Sequence, residues 1–422
     1  MAAVEDLFLK DGAFSIGGAG LETVLENCST PVYAYSASLI DSAFADVRGL
    51  FPGFDIIYSF KANPGLAIAA RLRALGAGAD VSSMGELRAA LRTGFDPQDI
   101  FFVGPAKTEA EIGFAVDTGI YAIVVESAHE LIVVDSRAGR LSRRQRVLLR
   151  INTSESPSSP EVMVGGPSKF GFDEETVAED IRGLKLENTD IAGIQVYSAS
   201  QVLDAGFICG HIEHVLNLAI SLSGELGFPL ECIDFGGGFG VPYGDDEEEL
   251  DLARVSERAR DLVESSADKL RECRLVFELG RFLVARSGVF LTHVVGVKRS
   301  RGKDFVLTDG GMNTFSRPVF MNVRHPVRVV SKMGQPADFE YDVCGPICTP
   351  IDCFAREVLL PRVEPGDVVG LFNAGAYGYT MSLMNFMSLG WPAEVMVDGG
   401  KVTVIRSPRP AENLFDDQVI PG

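Results

Sequence analysis

The chain has 422 residues, 46% of them hydrophobic and 23% charged, with a formal net charge of −20 from 58 acidic and 38 basic side chains. This length exceeds one ordinary domain and suits one large barrel with a smaller companion. So acidic a protein is excluded as a binder of nucleic acid or of anionic membrane surfaces, and any anionic cofactor must be held by a local device.

The first six residues lack a basic region and a long apolar core, so no signal peptide is expected. No uninterrupted apolar run is long enough to span a bilayer. From about residue 31 to 290, strand-like runs alternate with helical stretches. The candidate strands are Val32–Tyr35, Asp55–Phe60, Gly78–Val81, Ile100–Val103, Tyr121–Val125, Arg146–Ile151, Ile191–Val196, Cys232–Phe235 and Arg274–Glu278. Between them lie Met84–Arg92, Glu109–Asp117, His211–Leu226 and Leu250–Arg271 as helices. Alternation over this length predicts a parallel sheet closed into a (β/α)8 barrel. Ser154–Ser168, rich in Ser, Pro and Gly, reads as a mobile loop, and the acidic run Asp245–Glu249 as the start of a solvated helix. Beyond about residue 285 the texture changes to short strands with turn residues between them, which predicts a mainly antiparallel β-domain, a barrel or sandwich. The expected division is a barrel over 31–285 and a β-domain over 286–422, joined by 1–30.

The seven cysteines are scattered, with no C-x-x-C spacing, so free thiols in a reducing cytoplasm are expected. Of the five histidines, only His211 and His214 could share a helix face, and solvated or capping roles outweigh a zinc site; no metal is expected.

Chemistry concentrates at strand ends. Lys61 follows the apolar run Ile56–Phe60 and precedes Asn63-Pro64, so it stands where a buried strand stops at a turn. A partly desolvated lysine loses proton affinity and becomes an amine nucleophile, the kind that forms Schiff bases with pyridoxal 5′-phosphate (PLP). A strand-end lysine reaching solvent is the plainer alternative. Asp234-Phe235-Gly236-Gly237-Gly238-Phe239-Gly240 offers backbone N–H groups to a phosphate with no side chain in the way. Glu278-Leu279-Gly280-Arg281 places a carboxylate where it could face a pyridine nitrogen, or pair with Arg281. Asp80 could sit near the amine, whereas Ser83 and Glu86 read as a capping box. In Gly345-Pro346-Ile347-Cys348-Thr349-Pro350-Ile351-Asp352, Cys348 lies between prolines on a turn, fixed, exposed and able to deliver a proton. Tyr377, in Gly375-Ala376-Tyr377-Gly378-Tyr379, offers a phenol.

These motifs, in this order, resemble the PLP-dependent decarboxylases of the alanine-racemase-like fold, the group of diaminopimelate, ornithine and arginine decarboxylases. The resemblance runs from Val32 to about Met387. It implies Lys61 as the Schiff-base lysine, and Glu278 as the partner of the pyridine nitrogen. Gly236, Gly237, Gly238, Gly280, Arg281, Ser200 and Tyr377 would lie around the phosphate, and Asp80 and Tyr197 around the ring. Cys348 becomes the proton donor, reaching the partner's site in a homodimer with shared active sites. Arg150 and Lys169 also match family positions. Arg317, Thr349, Asp352 and Tyr377 are the candidates for substrate contact.

The chain departs from the family pattern twice. Tyr197 stands where a stacking histidine is usual; it can stack but carries no imidazolium charge. Thr349 stands where an acidic residue usually binds the substrate's distal ammonium. A neutral residue there disfavours a distal ammonium by a few kcal/mol, on the order of a hundredfold. Both features are similar to decarboxylases that act on an aminoacyl group carried by an acyl-carrier protein. Arg317-Pro318 instead resembles the diaminopimelate enzymes that make lysine, with a surface ion pair as the plainer role for Arg317. The expected reaction is α-decarboxylation of an L-amino acid or aminoacyl group, releasing CO2 and an amine. An amino-acid racemase or epimerase and a non-catalytic PLP-binding regulator are the alternatives.

Overall fold

The computed structural model describes residues 4–154, 161–162, 164–244 and 246–421. Seven of the fifteen residues of the Ser154–Ser168 loop, and Asp245, fall outside them. The described residues form two compact units. One runs to Ser42, takes in Pro242–Glu247 and resumes at Val284; the other comprises Ala43–Val241 and Glu248–Leu283.

The second unit is an eight-stranded parallel barrel. Its strands are Asp55–Ser59, Gly78–Val81, Ile100–Phe102, Ala122–Val125, Gln145–Asn152, Thr189–Gln195, Cys232–Asp234 and Arg274–Leu279. The ring closes where the last strand pairs with the first, Glu278 opposite Ile57. Strands buried on both faces read as continuous apolar runs, and Ile57, Phe101, Val124, Leu148, Ala192 and Val276 form one buried cluster. Phe54, Phe235, Phe239 and Phe277 make a second, with Phe54 and Phe277 stacked 4.6 Å apart.

Most of the outer helices start on side-chain caps, Leu66–Ala74 and Val177–Ile181 excepted. The Ser83 hydroxyl accepts from Glu86 N–H at 3.2 Å, but the Glu86 carboxylate reaches Ser82 N–H rather than Ser83, so the expected capping box is half made. The reciprocal box sits one helix later, at Thr108 and Glu111. The acidic run is not a helix start. That helix begins at Leu252 behind Asp251, and Glu247 instead accepts from Tyr243 and Gly244 N–H. Helix Ala205–Leu226 is long and apolar enough to cross a membrane by length and composition alone. It buries Ile208, Ile212, Val215, Leu216, Ala219 and Leu222 and packs on strands Thr189–Gln195 and Cys232–Asp234, as a barrel helix does.

In the first unit, the 13-residue strand Gly288–Ser300 organises a mainly antiparallel sheet. Its first half pairs with Val32–Ser36 and Val368–Leu371, its second with Lys303–Thr308. Phe339–Cys344, Cys353–Leu360, Ala393–Asp398 and Lys401–Arg406 extend the sheet. Val32–Ser36, read from the sequence with the alternating barrel strands, belongs to this sheet. All five of its residues are buried, so its apolar run carries no periodicity to separate it from a barrel strand.

Candidate active site

The carboxyl ends of the barrel strands gather most of the residues singled out by sequence. The first strand ends at Ser59, and a single turn, Phe60–Ala62, carries Lys61. Asn63 stops it: its side-chain oxygen accepts from Gly65 N–H at 3.0 Å, and its carbonyl accepts from the Tyr58 hydroxyl at 2.7 Å. The Lys61 side chain is 34% exposed; its Nζ lies 3.1 Å from Asp80 Oδ2 and 5.2 Å from the Tyr197 ring centroid. Asp80 is fully buried and also accepts from Ser59 Oγ at 2.6 Å. The lysine is therefore held between a carboxylate and an aromatic face, not released to solvent. Gly280 makes room for this turn: a Cβ there would lie 2.9 Å from Ala62 Cβ and 3.0 Å from Ser59 Cβ.

Glu278, at the end of the last strand, is 3% exposed and accepts from Gln195 Nε2 at 3.2 Å. Burial, and next the Asp80 charge, hold its carboxyl up at about 7. Asp234 is fully buried against it, and its Oδ1 accepts from Gly236 N–H at 2.9 Å. Burial and then Glu278 push Asp234 well above the carboxylate range, so Asp234 keeps a proton to share with Glu278.

The glycine run packs directly on strand ends. A Cβ at Gly237 would fall 1.8 Å from the Glu278 carbonyl oxygen, and one at Gly238 2.1 Å from that of Ala199. Gly236 and Gly238 also have φ of +62° and +90°, which other residues rarely adopt. Beside the run, the buried Arg281 donates from Nη2 to Ser200 Oγ at 3.2 Å.

The sequence did not single out the roles of Gln195, Asp234 and His211. Asp234 opens the DFGGGFG motif, and its isolation in an apolar strand was the available signal. His211 is neither solvated nor a cap. Its Nε2 faces the Phe235 carbonyl at 2.8 Å and its Nδ1 faces Ser198 Oγ at 3.0 Å. Burial lowers it to about 4, so the neutral ring donates to Phe235 and accepts from Ser198. It braces the Tyr197-Ser198 segment against the start of the glycine run. His214 instead lies 3.4 Å from Glu174. Arg150 pairs with Glu126 at 3.0 Å and stacks 4.4 Å from Phe170, next to Lys169, whose Nζ is 5.0 Å from the same ring.

The other candidates lie in the β-unit. Cys348 is exposed on the loop between strands Phe339–Cys344 and Cys353–Leu360, its N–H 3.2 Å from Met387 Sδ. Asp352 organises that loop: its buried carboxylate accepts from Met312 N–H at 2.6 Å and Ile347 N–H at 2.7 Å. Thr349 borders an open groove of about 820 Å³ with Met312, Phe320, Ile351, Leu383 and Phe386, and among the described residues no lining residue is charged. Arg317 is 2% exposed, which rules out a surface ion pair; its guanidinium lies 5.3 Å from the Tyr243 ring and 5.7 Å from the Tyr377 ring. Tyr377 has φ +58°, a strained value for a bulky side chain.

The sequence profile of the family described as "Pyridoxal-dependent decarboxylase, pyridoxal binding domain" matches residues 37–285. The L-glutamyl-[BtrI acyl-carrier protein] decarboxylase of Niallia circulans is 32% identical over 414 residues, covering 95% of this chain and 96% of that protein. The diaminopimelate decarboxylase of Aquifex aeolicus is 34% identical, covering 94% of this chain and 93% of that protein. Among solved structures, diaminopimelate decarboxylase from M. jannaschii in co-complex with L-lysine superposes with a TM-score of 0.91 at 30% identity, covering 98% of this chain and 97% of that one. The chain belongs to the pyridoxal-dependent decarboxylase family and is an amino-acid carboxy-lyase.

Proposed function

We propose that this enzyme decarboxylates, at the α-carbon, an aminoacyl group whose far end carries acyl oxygen and no ammonium, presented on an acyl-carrier protein. The observation that supports this reading is the uncharged groove beside Thr349. A substrate ammonium placed there would lose its hydration without gaining a counter-charge, at a cost of a few kcal/mol. The relative named for glutamyl-carrier decarboxylation points the same way.

The barrel residues suit PLP. Arg281, Ser200 and the side-chain-free run Gly236–Gly238 form an anion-binding corner. Glu278, whose side chain is held by Gln195, would face the pyridine nitrogen, and Lys61 would hold the aldehyde carbon. The cofactor supplies the electron sink that loss of CO2 requires. A Glu278 carboxyl poised near 7 can pass its proton to a ring nitrogen and then keep it there by charge. Asp80 accepts a hydrogen bond from the Lys61 ammonium and fixes where the amine stands. Tyr197 would cover one face of the ring. Arg317 would grip the substrate's distal oxygens, and Cys348 would return a proton to the α-carbon after CO2 leaves. The assembly proposed is a homodimer with shared active sites, in the cytoplasm.

A second reading is a free amino acid with a distal carboxylate, diaminopimelate included. The buried Arg317 favours it; Thr349 does not. The deciding experiment offers free glutamate, meso-diaminopimelate, lysine and ornithine beside glutamyl-loaded carrier protein, and follows CO2 and amine by mass spectrometry. Turnover of the loaded carrier alone supports the first reading. Turnover of free diaminopimelate at comparable kcat/KM overturns it.

A further inference from the structure

Three of the seven cysteines lie within ten residues: Cys344, Cys348 and Cys353. The outer two end and begin the antiparallel strands that hold the loop, and they stand directly opposite each other. The next pair inward is the bonded one, since Gly345 N–H donates to the Asp352 carbonyl at 3.1 Å. Cys344 and Cys353 are therefore a non-hydrogen-bonded pair beside a β-bulge at Val343/Cys344; pairs of this kind are the closer ones, with Cα atoms typically about 4.5 Å apart and side chains on one face. A disulfide requires a Cα separation of about 4.4–6.8 Å. Cys344 is partly exposed, so a small reagent can reach it, whereas Cys353 is buried.

We propose that Cys344 and Cys353 are an oxidisable dithiol, converted by a low-molecular-weight disulfide such as oxidised glutathione into an intrachain bridge that closes the loop bearing Cys348. Cys344 sulfur attacks one glutathione sulfur; the glutathione S–S bond breaks, and one glutathione leaves and takes up the Cys344 proton. Cys353 sulfur then attacks Cys344 sulfur, giving up its own proton, and the second glutathione leaves as a thiol. Two protein thiols lose two electrons and two protons, and one glutathione disulfide becomes two thiols.

The raised Cys344 thiol makes the first attack slow. Cys344 donates its hydrogen to the Cys353 sulfur, which lowers Cys353, with Arg356 adding to the effect. The same contact, followed by burial, raises Cys344. Once Cys344 is modified its hydrogen bond is gone, and Arg356 is the group that still favours the Cys353 thiolate in the resolving step.

The test does not depend on catalysis, so its failure is distinct from failure of the proposed reaction. Full-length protein loaded with PLP is incubated with oxidised glutathione, alkylated, and digested with trypsin. Met333–Arg356 is one tryptic peptide holding all three cysteines. The expected product is two hydrogens lighter and carries a single modification, an alkyl or glutathionyl group on Cys348; dithiothreitol restores three alkyl labels. Cys344→Val should abolish the bridge, and Cys348→Ser should leave it intact. The proposal is overturned if Cys344 and Cys353 are both alkylated after oxidation, or if the bridge joins Cys348 to either of them.

Discussion

The barrel's strand ends and the loops of the β-unit divide the chemistry unequally. At the strand ends the functional groups are polar, mostly buried and hydrogen-bonded: Asp80 holds Ser59 and Lys61, Gln195 holds Glu278, and Gly236 holds Asp234. Around Cys348 and Thr349 the surfaces are apolar and open, and Phe320, Ile351, Leu383 and Phe386 are about half exposed. The first arrangement is what a fixed reaction demands, since charge development must meet preorganised partners. The second is where, on the proposed reading, a substrate's far end would be distinguished, and it can change without disturbing the first.

The largest test of that division is Lys61→Ala, expected to lower CO2 release by more than roughly a thousandfold whatever the substrate. Cys348→Ala should slow amine formation roughly a hundredfold while PLP retention, read by absorbance after gel filtration, stays at the wild-type level; loss of PLP would break the division. Thr349→Glu is expected to raise kcat/KM for an amino acid with a distal ammonium by roughly tenfold to a hundredfold, and to leave CO2 release otherwise dependent on the same strand-end residues.

The smallest effect concerns pH. Glu278 is held up at about 7 from an ordinary 4.5, chiefly by burial. A raised carboxyl stabilises the fold in its protonated form, fully below the unfolded value, and that contribution fades as pH rises through about 7. PLP-free protein should therefore lose on the order of 3 kcal/mol or less from this group between pH 4.5 and 7. Glu278→Gln should flatten that part of the denaturant-unfolding profile; an unchanged slope would mean that Glu278 titrates normally.

The sequence made the barrel legible because its strands are short apolar runs between capped helices, and each strand end is marked by a polar residue or glycine. Lys61, Glu278 and the glycine run announce themselves as interruptions of apolar runs. What stayed hidden depends on pairing across the chain. Val32–Ser36 is apolar throughout, and nothing local says that its neighbours are residues 288–291 and 393–397. His211 looked like a surface residue because its partners, Ser198 and the Phe235 carbonyl, are 13 and 24 positions away. Gln195 and Asp234 gain meaning only beside Glu278, on another strand.

The same strand, Val32–Ser36, carries a consequence for biosynthesis. Its partners on both sides are encoded more than 250 and more than 350 residues later. On the ribosome it emerges well before these partners and waits, apolar and unpaired, while most of the barrel is already available to fold. The sheet of the β-unit can be completed only after Ala393–Asp398 and Lys401–Arg406 have been made. A stop codon before Ala393 would therefore strand an early apolar segment without its late neighbour, and the nascent chain until that moment is a natural client for a holding chaperone.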